Sequence, residues 1–371
     1  MKKYVVCPDS FKGSLSADRV AEAIEKGILN FDPEALVIKA PIADGGEGTL
    51  DALVPKSDRI KLTVRSTDGS PVEAEYGQVN GVAVIEMAVA AGLCLVKEGE
   101  RNPESASTYG VGQLIKDALD RGFGKIMITV GGSGTNDGGS GLIEALGVRF
   151  YDADGKVISA SGGALAKIDR IDATGLDERI KKTEIVFACD VKNPLVGERG
   201  ATRVYGAQKG ADASMLDRLE SGMINYADKL ALASGRDVRN IEGCGAGGGT
   251  PASLLAFGNA RIESGIESVL AAIGFDEKLR GADLVITGEG SIDRQSAYGK
   301  AISGVVAHAR QRKVPVLVLV GVKGEGADEL LDLGISKISA ISAIAPSKEY
   351  SIAHADELLT RLVPDELKSF N

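Results

Sequence analysis

The sequence predicts an α/β protein built as two domains, and three observations carry that expectation. Short β-branched apolar runs alternate with helical patterns along most of the 371 residues, as expected for largely parallel sheets with helices on their faces. One stretch breaks the rhythm, with three strand-like runs at 60–64, 72–79 and 82–88 joined by short links, one of them Asn80-Gly81. The length also exceeds the roughly 250–300 residues at which a single core stops growing.

Taken in order, the clearest strands are expected at 4–7, 36–40, 125–130, 185–189, 284–287, 316–320 and 338–341. Most are continuously apolar, which suits parallel strands covered on both faces. Helical periodicity fills 17–29, 111–121 and 302–311. Ser16 stands where an N-cap belongs. Asn-Gly is the strongest short hairpin signal, so 60–88 reads as an antiparallel meander opening a second, inserted domain. The expected boundaries are 1–57 with 261–371 for the first domain and 58–260 for the insertion.

Composition narrows the function. A net charge of −9 with no block of basic residues argues against a phosphate-neutralising surface for nucleic acid. No run of about 18 apolar residues offers a membrane span. Four scattered cysteines without a C-x-x-C fit reduced thiols in the cytoplasm. Histidine occurs twice, His308 and His354, both in helical patterns, which leaves little for a zinc site or a histidine-based triad. Glycine is abundant, 48 of 371, and clusters where apolar runs end.

Those strand ends are where ligands bind in open parallel sheets. The first carries Ser10 and Lys12 in PDSFKGS, beside a helix start able to hold an anion. The second, ADGGEGT, offers Asp44 and Glu47 as oxygen ligands for hydroxyls or Mg²⁺. The third, GGSGTNDGGSG, follows the 125–130 run. Gly131, Gly132, Ser133, Thr135, Asn136 and Asp137 read there as an anion cradle of backbone N–H groups. It is neither a Walker A loop nor G-x-G-x-x-G, because Asp137 stands in place of the third glycine. The fourth, CDVKNP, ends a strand with Asp190, a candidate proton acceptor or Mg²⁺ ligand, and has Asn193 three residues on. A glycine-rich run at 243–251 reads equally as a nucleotide contact or a hinge. The last, TGEGSIDRQSAYGK, offers Gly288 and Gly290 as backbone donors, Glu289 and Asp293 as metal ligands, and Lys300 as a phosphate partner.

Together the stretches PDSFKGSLSA, IADGGEGT, GGSGTNDGG, CDVKNPL and TGEGSIDRQSAYGK, in this order from residue 8 to 300, resemble the bacterial glycerate kinases of the glycerate kinase I type. Gly134 stands where that family usually has alanine, and GAGGGTP where GAAGGLG is expected. The resemblance implies a flavodoxin-like domain and an inserted domain similar to restriction endonucleases. It also implies ATP, Mg²⁺ and D-glycerate, with the 2-phosphate favoured over the 3-phosphate as product. Phosphoryl transfer needs a phosphate cradle, charge neutralisation and a positioned hydroxyl. Asp190 is the first choice of base, and Lys12 or Lys300 meets a carboxylate or phosphate. The competing readings are a non-catalytic sensor of a small acid or nucleotide, and a nicotinamide-dependent dehydrogenase lacking its usual fingerprint. Homo-oligomerisation is left open.

Overall fold

The computed structural model describes residues 1–46, 48–293 and 300–370, with the backbone alone of Lys300. The chain divides into two compact units, one of Met1–Asp44, Asp51–Pro55 and Ile266–Asn371, the other of Gly45–Leu50 and Lys56–Gly265.

The first unit holds a five-stranded parallel sheet ordered Lys337–Ala340, Val316–Lys323, Leu284–Ile292, Lys3–Val6, Leu36–Lys39. Tyr4 pairs with Leu284 and Val5 with Val285, so residues some 280 apart in sequence are sheet neighbours. Three of the strands, Lys3–Val6, Leu284–Ile292 and Val316–Lys323, carry apolar runs that are largely buried. Val285, Ile286, Leu317, Val318 and Leu319 are fully buried, and burying such side chains stabilises by roughly 1.5–3 kcal/mol each. The helix Ala17–Phe31 starts at Ser16, whose hydroxyl accepts from the Arg19 N–H. It lies so close to Ala355–Leu367 that a Cβ on Gly27 would stand 2.6 Å from Val363 Cβ.

The second unit holds a six-stranded mixed sheet ordered Ala260–Glu263, Glu184–Ala188, Lys125–Thr129, Val82–Glu86, Pro71–Val79, Ile60–Arg65. The first four strands are parallel and the last two complete the meander. Its Asn80-Gly81 turn has positive φ at both residues, +48° and +81°, as a two-residue hairpin demands. A second small sheet of Arg149–Tyr151, Val157–Ile158 and Arg170–Asp172 had too short a pattern to be read from sequence. Its Phe150 is fully buried and meets Tyr226 edge to face, with ring centroids 6.2 Å apart.

One expectation is corrected. The strand starting at Leu284 does not end at residue 287 but runs to Ile292, pairing Gly288 with Leu319 and Ser291 with Val322. Its polar, glycine-rich second half hides the strand pattern. Gly288 is glycine for packing, since a Cβ there would stand 1.8 Å from the Leu319 carbonyl oxygen. Among the described residues, no helix is long and apolar enough to cross a membrane, and no disulfide joins the four cysteines.

Candidate active site

In the second unit the four parallel strands point the same way, so their carboxyl ends share one edge. That edge carries Glu86, the 131–141 loop, Asp190 and Gly265. The loop has two halves. Gly131 and Gly134 are half-buried and Gly132 is exposed, while Ser133 and every residue from Thr135 to Ser140 are buried. Gly134 N–H donates to the Ala91 carbonyl at 2.7 Å, and the Gly132 carbonyl accepts from Leu93 N–H at 2.8 Å. The solvent-facing rim at 131–134 is thereby held in place.

The buried half is braced by charge. Asp137 is 0% exposed. Its Oδ2 accepts from the Thr108 N–H and hydroxyl, both at 2.8 Å, and from Gly141 N–H at 3.2 Å. Its Oδ1 accepts from Gly139 N–H at 3.1 Å. Burial pushes this carboxyl above its ordinary range, and these hydrogen bonds oppose the rise. Asp137, expected to meet a ligand, is thus occupied with holding the loop. Asn136 is also buried and donates to Thr202 Oγ1 at 3.0 Å. The Thr135 hydroxyl, Asn136 Oδ1 and Ser140 hydroxyl are buried without a hydrogen-bond partner among the described residues.

The buried half packs on the second glycine-rich run, at 243–251. Gly138 N–H donates to the Gly248 carbonyl at 3.0 Å. A Cβ on Gly248 would meet the Thr135 carbonyl oxygen at 2.0 Å, and one on Gly139 the Thr250 carbonyl at 2.4 Å. The two runs are glycine-rich because their backbones touch.

Lys209 was not singled out in the sequence. It is 1% exposed and its ammonium donates to Ser133 Oγ at 2.9 Å and to the Thr135 carbonyl at 2.5 Å. Burial pushes its pKa down to about 7, with the Asp137 charge resisting the fall. A lysine in the polar stretch GAQKGAD gives no sequence signal of burial. Asp190, half-buried at its strand end, accepts from Gly265 N–H at 3.1 Å. Asn193 shapes its own turn, donating to the Arg199 carbonyl at 2.7 Å and accepting from the Tyr205 hydroxyl at 2.8 Å.

In the first unit, a second group gathers where the strand order reverses. Lys3–Val6 lies between Leu284–Ile292 and Leu36–Lys39, and the crevice beyond such a switch is where open sheets bind ligands. Asp9 N–H donates to the Gly288 carbonyl at 2.8 Å. Glu289 is half-buried, and its Oε1 is buried without a hydrogen-bond partner among the described residues. Burial, then the charges of Asp9, Asp293 and Asp44, push Glu289 up to about 7. Asp9 itself is raised, chiefly by burial. Ser10, Lys12, Asp44 and Asp293 are exposed. Gly290 is a strand residue held near the Lys12 backbone, a Cβ there standing 3.1 Å from Lys12 N. Glu47 and the Lys300 side chain lie outside the described residues.

An acidic cluster with an unpartnered buried oxygen is suited to a divalent cation. Among the described residues, no three acidic, histidine or cysteine side chains form a ready-made metal cage. That is compatible with Mg²⁺, which binds through one or two carboxylates and keeps waters or phosphate oxygens.

Similarity to known proteins agrees with this geometry. The glycerate kinase family profile matches residues 4–369. A glycerate kinase of Bacillus subtilis strain 168 is 44% identical over 98% of this chain and 96% of its own. The glycerate 2-kinase of Escherichia coli K12 is 43% identical over 92% of this chain and 89% of its own. A crystal structure from Salmonella typhimurium LT2, of a protein provisionally designated glycerate kinase 2, is 40% identical, with a TM-score of 0.89. It covers 99% of this chain, and this chain covers 98% of it. The chain belongs to the glycerate kinase family.

Proposed function

We propose that this chain transfers the γ-phosphoryl group of ATP to the 2-hydroxyl of D-glycerate, releasing ADP and 2-phosphoglycerate. An ATP-dependent kinase is what membership of the family means. The observation that carries the position of transfer is the 43% identity to a relative named as a glycerate 2-kinase.

Each requirement of the reaction has a candidate residue. Asp190 is our choice for the carboxylate that receives the acceptor hydroxyl's proton as its oxygen attacks. It is half-buried, and its hydrogen bond from Gly265 N–H fixes its orientation. The rim at 131–134, with Ser133 tied down by Lys209, is our choice for the backbone surface that receives phosphate or substrate oxygens. Lys12, exposed and without a hydrogen bond or ion pair among the described residues, serves as an anion contact. Glu289 and Asp293, with Asp9 and Asp44 nearby, would hold Mg²⁺, whose charge offsets that of the ATP phosphates.

The fold kinship belongs to the same proposal. Counted along its own segments, the first unit's sheet runs 2-1-3-4-5, the flavodoxin-like order. The mixed sheet with its antiparallel edge supports kinship of the second unit with restriction endonucleases.

Phosphorus NMR of a mixture of the protein, ATP, Mg²⁺ and D-glycerate tests the function. A single phosphomonoester coupled to the C2 proton is expected. A 3-phosphate product overturns the position and keeps the kinase, whereas folded protein that yields no phosphoglycerate overturns the reading.

A further inference from the structure

The second unit has a small recess beside the loop rim, lined by Thr67, Leu93, Val96, Arg101, Ser105 and Gly134 among others, with about 30 Å³ of space in which water can sit. One water needs roughly 10–15 Å³ by the same measure. The recess therefore takes about two oxygen-sized occupants, the footprint of one carboxylate.

Two donors in its lining are left without partners. Thr67 is 2% exposed and its hydroxyl has no hydrogen-bond partner among the described residues. The Nε–H of half-buried Arg101 is likewise buried and unpartnered. The rest of that guanidinium makes no hydrogen bond or ion pair among the described residues. Leaving a buried polar group unsatisfied costs about 1–3 kcal/mol, and a folded chain rarely keeps two side by side without a use for them.

The surroundings fix these donors. The Asn102 carbonyl accepts from the N–H groups of Ser105 and Ala106, both at 3.2 Å, and Ser107 N–H donates to the Thr67 carbonyl at 3.0 Å. The Arg101 backbone lies against Gly210, where a Cβ would stand 2.5 Å from the Arg101 carbonyl oxygen. The next residue back, Lys209, holds the far side of Ser133 and Thr135 through its ammonium. Two acids also line the recess, and both are engaged elsewhere. Asp68 accepts from the Ser70 N–H and hydroxyl at 3.0 and 2.6 Å, and Glu100 pairs with Lys97 at 3.9 Å.

We infer that this recess seats the carboxylate of the acceptor substrate, with Arg101 Nε–H and the Thr67 hydroxyl each donating to one of its oxygens. The inference rests on the reading of the chain as a glycerate kinase. Two donors and two oxygen-sized places match a carboxylate. A terminal phosphate brings three oxygens and more charge. Leu93 and Val96 leave an apolar wall, which favours a small organic acid over a bare ion. The neighbouring rim at 131–134 then meets the rest of the acceptor.

The test uses the full chain with Thr67→Val, Arg101→Gln and Arg101→Lys, in steady-state kinetics and in melting with D-glycerate or glycerol but no ATP. Arg101→Gln should raise KM for D-glycerate about 10–100-fold, the usual worth of a hydrogen bond to a charged group. KM for ATP should stay within about twofold. Arg101→Lys should restore part of the loss. Thr67→Val should raise the same KM about 3–10-fold without lowering Tm, because the hydroxyl it removes has no partner in the free protein. D-glycerate should raise the Tm of the unmodified protein and glycerol should not. Unchanged KM for D-glycerate in Thr67→Val and in folded Arg101→Gln overturns the inference, as expected of a recess that holds water alone. A rise confined to KM for ATP overturns it too, as a nucleotide site. Should the protein fail to phosphorylate D-glycerate, the functional reading falls by itself. The subsite then stands if D-glycerate still raises Tm and Arg101→Gln abolishes the shift, and falls if it does not.

Discussion

Two glycine-rich segments, 131–141 and 288–293, look alike in the sequence, and the structure gives their glycines the same duty, close backbone approach, in two different settings. Each follows an apolar stretch of a strand that has parallel neighbours on both sides. In the second unit the strand stops and a loop begins, and its glycines let backbone touch backbone at Gly139 and Gly248. In the first unit the strand continues, and Gly288 lets it pass the Leu319 carbonyl. Their charges differ as well. The 131–141 loop is built over a buried lysine and a buried aspartate, whereas the Gly288–Ile292 end of the other strand sets Glu289 among the charges of Asp9, Asp293 and Asp44. Glycine content therefore locates close approach, and buried charge distinguishes a braced loop from a cation-seeking edge.

The largest effect expected on this contrast is on rate. Asp190→Asn should slow turnover by about 10²–10⁴-fold, the usual contribution of a positioned general base. Folding should survive, because the asparagine carbonyl can still accept from Gly265 N–H, the bond Asp190 makes at 3.1 Å. Matched melting curves alongside the kinetics separate the two effects. Near-normal turnover in a folded variant would remove Asp190 from the chemistry and leave it as a brace for the strand end, as Asp137 is for its loop.

Next comes the brace itself. Lys209→Met keeps the length and apolar stem of the side chain but strips Ser133 Oγ and the Thr135 carbonyl of their donor. It also leaves Asp137 buried without the cation whose field it shares. Leaving a buried polar group unsatisfied costs about 1–3 kcal/mol, read as a lower urea midpoint. A variant as stable as the parent would mean that neither the charge of Lys209 nor its two hydrogen bonds braces the loop.

The sequence made some of this legible and hid the rest for a physical reason. Strand positions such as 316–320 and the Asn80-Gly81 turn follow from local chemistry, which any chain segment carries in its own residues. The Ser16 cap is likewise local, needing only the helix that follows it. Lys209, Thr67 and Arg101 occupy ordinary polar stretches, and what makes them unusual is packing against segments distant in sequence, 133–135 for Lys209, 105–107 for Thr67 and Gly210 for Arg101. The Gly288–Ile292 strand was missed because its burial falls off toward the end, leaving Ser291 exposed and erasing the apolar run.

The smallest effect is one of pH, and its sign separates the two regions. Glu289 is raised to about 7 in the fold from an ordinary value of 4.5. Between those values the folded state holds a proton that the unfolded state has lost, so this group's contribution to stability declines as pH rises from about 4.5 to 7. Lys209 is lowered from 10.5 to about 7. Between 7 and 10.5 the unfolded state holds the extra proton, and the contribution of Lys209 increases with pH. Glu289→Gln isolates the first effect, since it keeps the shape of the side chain and removes the charge that Asp9, Asp293 and Asp44 oppose. At pH 8 without metal its Tm should exceed the parent's by about 2–4 °C, the response to roughly 1 kcal/mol in a domain of this size. At pH 4.5, where the parent's carboxyl is also neutral, the two should melt together. Mg²⁺ at pH 8 should then raise the parent's Tm and leave the variant's unchanged, because the cation needs the charge that the variant lacks. A variant that melts below the parent at pH 8 would show that a cation of the protein itself already neutralises Glu289, and the acidic edge would no longer be distinguished from the braced loop.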